Sequence, residues 1–346
     1  MTTKWIPAAA FSILLLLPTT VAAQPVVQAG SKIAFPAQFE GMAVEASNGA
    51  FGNLASGYFY QNGGDRIEVI VYRPSYPSVS LWFMQGERRT NDLFSRVAIA
   101  PAGPAEIFAA KSSNPNGMRR FYTVGTPFAS TAIAVVGFGQ WIVSIRSSSK
   151  ALDVSQQRAR LDKIIGQIVV PSSLAGSRYP VVPIADCIGS TKLAFGPEGE
   201  PLLGDVTLEM KTSGGLAAMV ASQDAFAGDR GVAAQPSTYC RRQSVSGKTV
   251  WFESIDAKGL SRWILPVSET GITVEGISVP TTNKGGKVEM QGVVLTNEHT
   301  RSNVRAFYRQ LPNPVSAQLQ ALTALAAGAQ PFASVEYGTA EIALTD

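Results

Sequence analysis

Two short stretches of this chain carry residue types at spacings that serve covalent catalysis elsewhere. Ser147-Ser148-Ser149-Lys150 satisfies S-x-x-K, and Lys211-Thr212-Ser213-Gly214 has the form of a K-T-G strand. In that chemistry a Ser attacks an acyl carbonyl and a Lys one helical turn away helps to activate it. The surroundings argue against it here. Ser147 ends a strand pattern and precedes a helix cap at Asp153, so Ser147 and Lys150 are not expected on one helix face. No Asn lies between Lys150 and Lys211, so the intermediate S-x-N element is missing. The match is read as a Ser-rich turn between strand and helix.

The remaining candidates are sparser. His299 is the single histidine, which excludes any site needing two His ligands and forces a Ser or Cys triad to use it. Its polar surroundings, Asn297-Glu298-His299-Thr300-Arg301, predict a surface loop. There is no G-x-S-x-G elbow. Ser246-Gly247-Lys248 lacks the upstream Gly of a phosphate loop, and Gly137-Phe138-Gly139 lacks a third Gly. Asp224 and Asp229 are too widely spaced for a calcium loop. Glu198 and Glu200 lie in a Gly/Pro-rich turn, where solvated carboxylates are expected. No catalytic, cofactor-binding or metal-ligating residue is assigned from sequence. Trp82, Trp141, Trp251 and Trp263 fall in strand patterns and read as core, with a sheet-face aromatic for peptide or glycan as the lesser alternative.

Cys187 and Cys240 are the only cysteines. In an oxidising compartment a lone pair forms one disulfide, and these two lack the C-x-x-C spacing of a redox pair. Such a bridge staples the second half of the chain and does not join the halves.

The compartment follows from residues 1–23. Lys4 gives a positive start, Ile6 to Leu17 an apolar run, and Val21-Ala22-Ala23 the small residues of a signal-peptidase site. Cleavage is expected after Ala23, with the product periplasmic or secreted. The run is shorter than the roughly 20 apolar residues that span a bilayer and ends at Pro18, so stable membrane insertion after cleavage is not expected.

Removing 23 of 346 residues leaves 323, long enough for two domains. The formal charge of +4 falls to +3 with the loss of Lys4, a small excess that gives no nucleic-acid footprint. With 32 Gly and 21 Pro and only 16% charged residues, the composition fits short strands punctuated by turns.

The elements that must position any site read as follows. Strands are expected at 33–39, 58–60, 67–72, 105–110, 119–124, 131–136 and 140–146, with a hairpin turn at Gln61-Asn62-Gly63-Gly64-Asp65 for which Asn-Gly tolerates positive φ. Residues 78–84 pair as a strand or open a short helix, and 90–97 form a helix. Asp153 and Gln156 form a capping box, after which Leu161, Ile164, Ile165 and Ile168 line one helix face. Residues 171–183 read as a linker. The second half is expected to hold strands at 192–195, 205–210, 249–254, 261–266, 272–278, 287–295 and 305–308, a helical turn at 222–226, and a helix begun by Asn313 and Pro314 and ended near Gly328. The fold class is α+β in two domains, 30–171 and 184–346, each a mainly antiparallel sheet packed with a late amphipathic helix.

The first half, through the Phe35 strand, the Asn62-Gly63 hairpin, the Trp141 strand and the Leu161–Ile168 helix, resembles the PsbP-like fold over roughly residues 30–170. That resemblance implies a binding or assembly subunit in an exported setting and transfers no functional residue. The expectation is a non-catalytic binding or assembly module of the cell envelope, whose partner is an envelope protein, peptide or glycan. The alternative is an envelope hydrolase with a dispersed carboxylate or Ser/Lys site.

Overall fold

A computed structural model describes residues 24–48, 54–174, 176–187, 193, 195, 201–202, 206–226, 239–244, 249–255, 261–282, 288–337 and 342–345. Residues 1–23, where the signal peptide and its cleavage site at Ala23 are expected, the strand expected at 192–195 apart from residues 193 and 195, Glu198, Glu200, Asp229 and 246–248 lie outside these residues.

The amino-terminal pair β1 (Val26–Val27) and β2 (Ala34–Phe35) precedes a nine-stranded antiparallel sheet. Its strands are β3 (Gln38–Phe39), β4 (Met42–Asn48), β5 (Ala55–Asn62), β6 (Asp65–Tyr72), β7 (Ile99–Pro101), β8 (Glu106–Phe108), β9 (Gly117–Val124), β10 (Ser130–Phe138) and β11 (Trp141–Ser149). The order is β3-β4-β5-β6-β11-β10-β9-β7, with β8 also on β9. Every residue of β10 and β11 is buried, because helices cover both faces at the sheet's centre. Helix α2 (Val154–Gln167) lays Leu161, Ile164 and Ile165 on Val69, Ala134, Val143 and Ile145. Helix α1 (Val79–Leu93) lays Val79, Trp82 and Phe83 on Tyr72, Ile133, Val135 and Ile142 of the other face. Each such fully buried side chain contributes about 1.5–3 kcal/mol.

The second sheet is an eight-stranded antiparallel meander: β12 (Cys240–Gln243), β13 (Val250–Ile255), β14 (Ser261–Val267), β15 (Ile272–Thr282), β16 (Val288–Asn297), β17 (Arg301–Tyr308), β18 (Ala333–Glu336) and β19 (Ala343–Leu344). Helix α3 (Leu208–Phe226) covers Ile277, Val293, Leu295 and Phe307 on one face, and α4 (Pro314–Ala326) covers Trp263, Leu265, Val274 and Val294 on the other. A register shift between Val294 and Leu295 makes Arg305 an extra residue in β17. Val304 and Phe307 thereby both face α3, while Ala306 and Tyr308 face α4.

The α+β class, the two antiparallel sheets and the late helices α2 and α4 match the sequence reading. Asp153 and Gln156 form both arms of the capping box, and Asn313 caps α4 with Pro314 at its start. Several expectations need correction. Residues 79–84, of the two readings the helical one, and 90–93 are not separate pieces but parts of the single helix α1, with Ser78 and Phe94 as its caps, and residues 95–97 lie beyond it in a turn. Trp82 is therefore helical. Residues 208–210 begin α3 and are not strand, and α3 runs far longer than the turn expected at 222–226. The β5–β6 hairpin uses no positive φ. Asn62 Oδ1 instead accepts from the Gly64 and Asp65 amides, which closes the turn by side chain.

The halves share one core. Phe252 and Ile264 of the second sheet join the α1 cluster of the first. The connection between them is tied down along its length: Tyr179 stacks on Tyr76, Val182 N donates to Ser80 Oγ, and Asp186 bridges to Arg241.

Candidate functional site

The antiparallel register of β6 and β11 sets Glu68 opposite Arg146 and Arg66 opposite Ser148. These four share the α1 face of the sheet, since they alternate with the residues that face α2. The last turn of α1 brings Arg89 and Leu93, its cap brings Phe94, and the loop before β10 brings Phe128. Together they line a cavity of about 230 Å³. One side of its lining is apolar, with Phe94 and Phe128 meeting edge to face at 5.2 Å between centroids.

The charges around it are ordered. Arg146 donates to Glu68 Oε2 at 2.6 Å, to Glu269 Oε2 at 2.9 Å and to Thr90 Oγ1 at 3.1 Å. Thr90 in turn donates to Gly86 O within α1. Glu269 comes from the other half. It sits in the β14–β15 turn, which is opened by Ser268 at φ +53 and closed by Gly271 at φ +85. A Cβ at Gly271 would meet the His299 ring at 3.0 Å and Pro74 Cα at 3.2 Å, so glycine is required there. Glu269 Oε1 accepts from Ser144 Oγ at 2.5 Å, and Arg89 lies 3.2 Å from its other oxygen and 3.5 Å from Glu68. Burial pushes the Glu269 carboxyl up, but the Arg146 charge and hydrogen bond, Ser144 and Arg89 outweigh it and hold it below the usual carboxylate range. Burial likewise opposes charge on Arg146, and its two carboxylate partners more than reverse that.

Arg66 differs. It is exposed at the cavity mouth, its guanidinium lies 5.6 Å from the Phe59 ring centroid, and it makes no ion pair among the described residues. Three guanidiniums thus face two carboxylates, leaving one positive charge in excess.

The chain matches no family model, no curated protein and no solved structure. The site therefore stands on its own geometry.

The structure disperses the candidates named from sequence. Ser147 is fully buried on β11 with its hydroxyl unpaired, while Lys150 is exposed beyond the strand and donates to Gly63 O. An odd separation on a strand puts the two on opposite faces. Lys211-Thr212-Ser213-Gly214 lies on α3, where Lys211 bonds Thr345 O and Gly214 sits against the Phe307 ring. Asp224 also lies on α3. Gly137-Phe138-Gly139 joins β10 to β11, and a Cβ at Gly137 would meet Val79 at 2.8 Å.

His299 is not a surface histidine. It is 5% exposed, and its Nδ1 lies 2.6 Å from Arg73 O in the seam between the halves. Burial holds its pKa below the ordinary value, against the backbone hydrogen bond and Glu298. Cys187 and Cys240 form the expected disulfide, S–S 2.01 Å, fixing the segment before 188 to the edge strand β12. Glu253 lies beside the sulfurs, but these are spent in the bridge, and Glu253 pairs with Arg242 and accepts from Trp251 Nε1. Trp141, Trp251 and Trp263 are strand core residues.

Sequence reasoning missed Arg66, Glu68, Arg89, Arg146 and Glu269. The one available signal was charged residues interrupting strand patterns, Arg66 and Glu68 in β6 and Arg146 in β11.

Proposed function

We propose that this protein is an exported, non-catalytic binding module of the cell envelope, and that the arginine-lined cavity beside α1 is its ligand site. The observation that carries the reading is the cavity itself: Leu93, Phe94 and Phe128 stand beside the buried Arg146 and Glu68, which are already held in place by each other and by Glu269. Such a preorganised pocket binds without the cost of ordering its polar groups. Glu269 and Arg146 neutralise each other, so neither is poised for proton transfer. Export is supported by the pattern of residues 1–23 and by a disulfide suited to an oxidising compartment. The ligand is a small molecule or the end of a longer envelope chain, since the volume lies below the roughly 300 Å³ at which drug-sized sites begin.

The test is a melting series of the exported protein with a panel of small amphiphiles, anionic, neutral and cationic. At least one member should raise the melting temperature, and Leu93→Trp, which fills the mouth from an exposed position, should abolish that rise. No stabilisation by any member, or turnover of an envelope substrate that a point change abolishes, overturns the reading.

A further inference from the structure

We infer that the cavity selects a small apolar monoanion, a carboxylic acid of on the order of ten non-hydrogen atoms at interior packing density, with Arg66 as the residue that sets the charge preference. This rests on the reading of the cavity as a ligand site.

Charge, shape and exposure converge on this ligand class. Arg146 is committed: 4% exposed, it is held by Glu68, Glu269 and Thr90. Arg89 is committed in part, with Glu269, Glu68 and Ser268 Oγ around its guanidinium. Arg66 is uncommitted and exposed, and it stands opposite Ser148 at the open side. One carboxylate beside Arg66 and the outer edge of Arg89 brings the five fixed charges and the ligand to neutrality. A dianion would leave a negative charge next to Glu68, whose side chain is only 8% exposed. A cation would add to an existing excess. A neutral polar head would leave Arg66 with water alone.

The rest of the ligand is set by Leu93, Phe94 and Phe128. Leu93 is 57% exposed, an aliphatic side chain held at the rim, while Phe94 is buried to 7% exposure beneath it. The perpendicular Phe94–Phe128 pair offers one ring face and one ring edge. That geometry accepts a further aromatic ring edge to face. A phenyl ring joined by two methylenes to a carboxylate matches both the volume and the distribution of charge.

Other openings do not combine these features. The groove of about 400 Å³ along Pro25, Phe35, Pro36 and Val169 has no charged group lining it. The cavity of about 200 Å³ between α1, β9 and β12 also counts three Arg to two carboxylates, but each of its guanidiniums is already paired, Arg88 with Asp92, Arg120 with Glu87 and Arg241 with Asp186.

The experiment titrates the exported protein by calorimetry with four probes of one shape: 3-phenylpropionate, 3-phenylpropanamide, 3-phenylpropylamine and 3-phenylpropyl phosphate. The carboxylate is expected to bind at least tenfold more tightly than the amide, the amine and the phosphate dianion. Arg66→Gln should bring carboxylate and amide to within threefold by weakening the carboxylate, while leaving the melting temperature of the unliganded protein unchanged; a carboxylate preference that survives the change overturns the role of Arg66. Equal binding of carboxylate and amide, or tighter binding of the amine or phosphate, overturns the selectivity while leaving the cavity as a ligand site. Failure of all four probes, together with a flat melting panel, overturns both.

Discussion

Arg146, on the central strand of the first sheet, donates to Glu269, from a turn of the second, at 2.9 Å, with 4% and 1% of the two side chains exposed. This pair ties the cavity to the junction between the halves. The second half does not merely abut the first: its turn supplies a counter-charge without which the buried Arg146 would keep only one of its two carboxylate partners.

Truncating the pair should therefore be costly. Glu269→Ala is expected to lower unfolding free energy by about 3–5 kcal/mol, the usual loss when one member of a buried pair is left alone. Denaturant melts followed at a first-half and a second-half probe measure it. A loss under about 1 kcal/mol would mean that the turn does not hold the halves together.

Stability should fall in two steps as pH drops. His299 has a folded pKa below its ordinary 6.5, so its contribution is complete above that value and is lost as pH falls from there through the folded pKa. Glu269 and Asp65 are depressed below 4.5 and 3.8, the first by Arg146 against burial and the second chiefly by the Arg160 hydrogen bond. Their contributions are complete above those values and are lost below them. His299→Gln should flatten the step just below pH 6.5, and Glu269→Gln the step below about pH 4.5. Melts at half-unit pH intervals check both. Unchanged profiles in either variant would contradict the assignment.

Gly276 faces Trp263 across the β14–β15 pair, and a Cβ there would lie 2.2 Å from the indole. Trp263 is fully buried, and its Nε1 donates to Pro312 O at 3.1 Å, so the ring has nowhere to swing. Gly276→Ala should cost about 1–3 kcal/mol by overpacking. Gly63→Ala, in open space at the β5–β6 turn, should change stability by less than about 0.5 kcal/mol. Equal effects of the two would refute the close approach.

The Cys187–Cys240 bridge spans 53 residues. On the loop-entropy model its removal by Cys187→Ala with Cys240→Ala should cost about 4 kcal/mol, with the second half losing stability first. Alkylation, without reductant, of the protein produced in an oxidising compartment should add no mass. Two alkylated thiols would refute the bridge.

Elements whose burial followed one simple rule were legible from the sequence. β10 is apolar from Ala132 to Phe138, β6 alternates, and α2 and α4 carry caps and single apolar faces. Helix α1 was obscured because Gln85, Glu87 and Thr90 are buried with its apolar residues, which erases the amphipathic period. Helix α3 was obscured because, among its described side chains, Met210 is followed in the contact with the sheet by small residues, Gly214 against Phe307 and Ala217 in the core. The cavity could not be read at all. Its residues come from β6, α1, the loop at Phe128 and β11, and its buried counter-charge Glu269 comes from a turn more than a hundred residues beyond. Only the strand register and the docking of the second sheet bring them together. His299 was misplaced for the same reason, since its loop is covered by a segment distant in sequence.

The most direct test of the cavity as the ligand site is an amide chemical-shift map of the isotope-labelled protein titrated with 3-phenylpropionate. The account predicts that the residues shifting most cluster at Arg66, Arg89, Leu93, Phe94, Phe128 and Ser148, on three different elements and one loop. Shifts confined to other parts of the molecule, or none at saturating concentration, would contradict it.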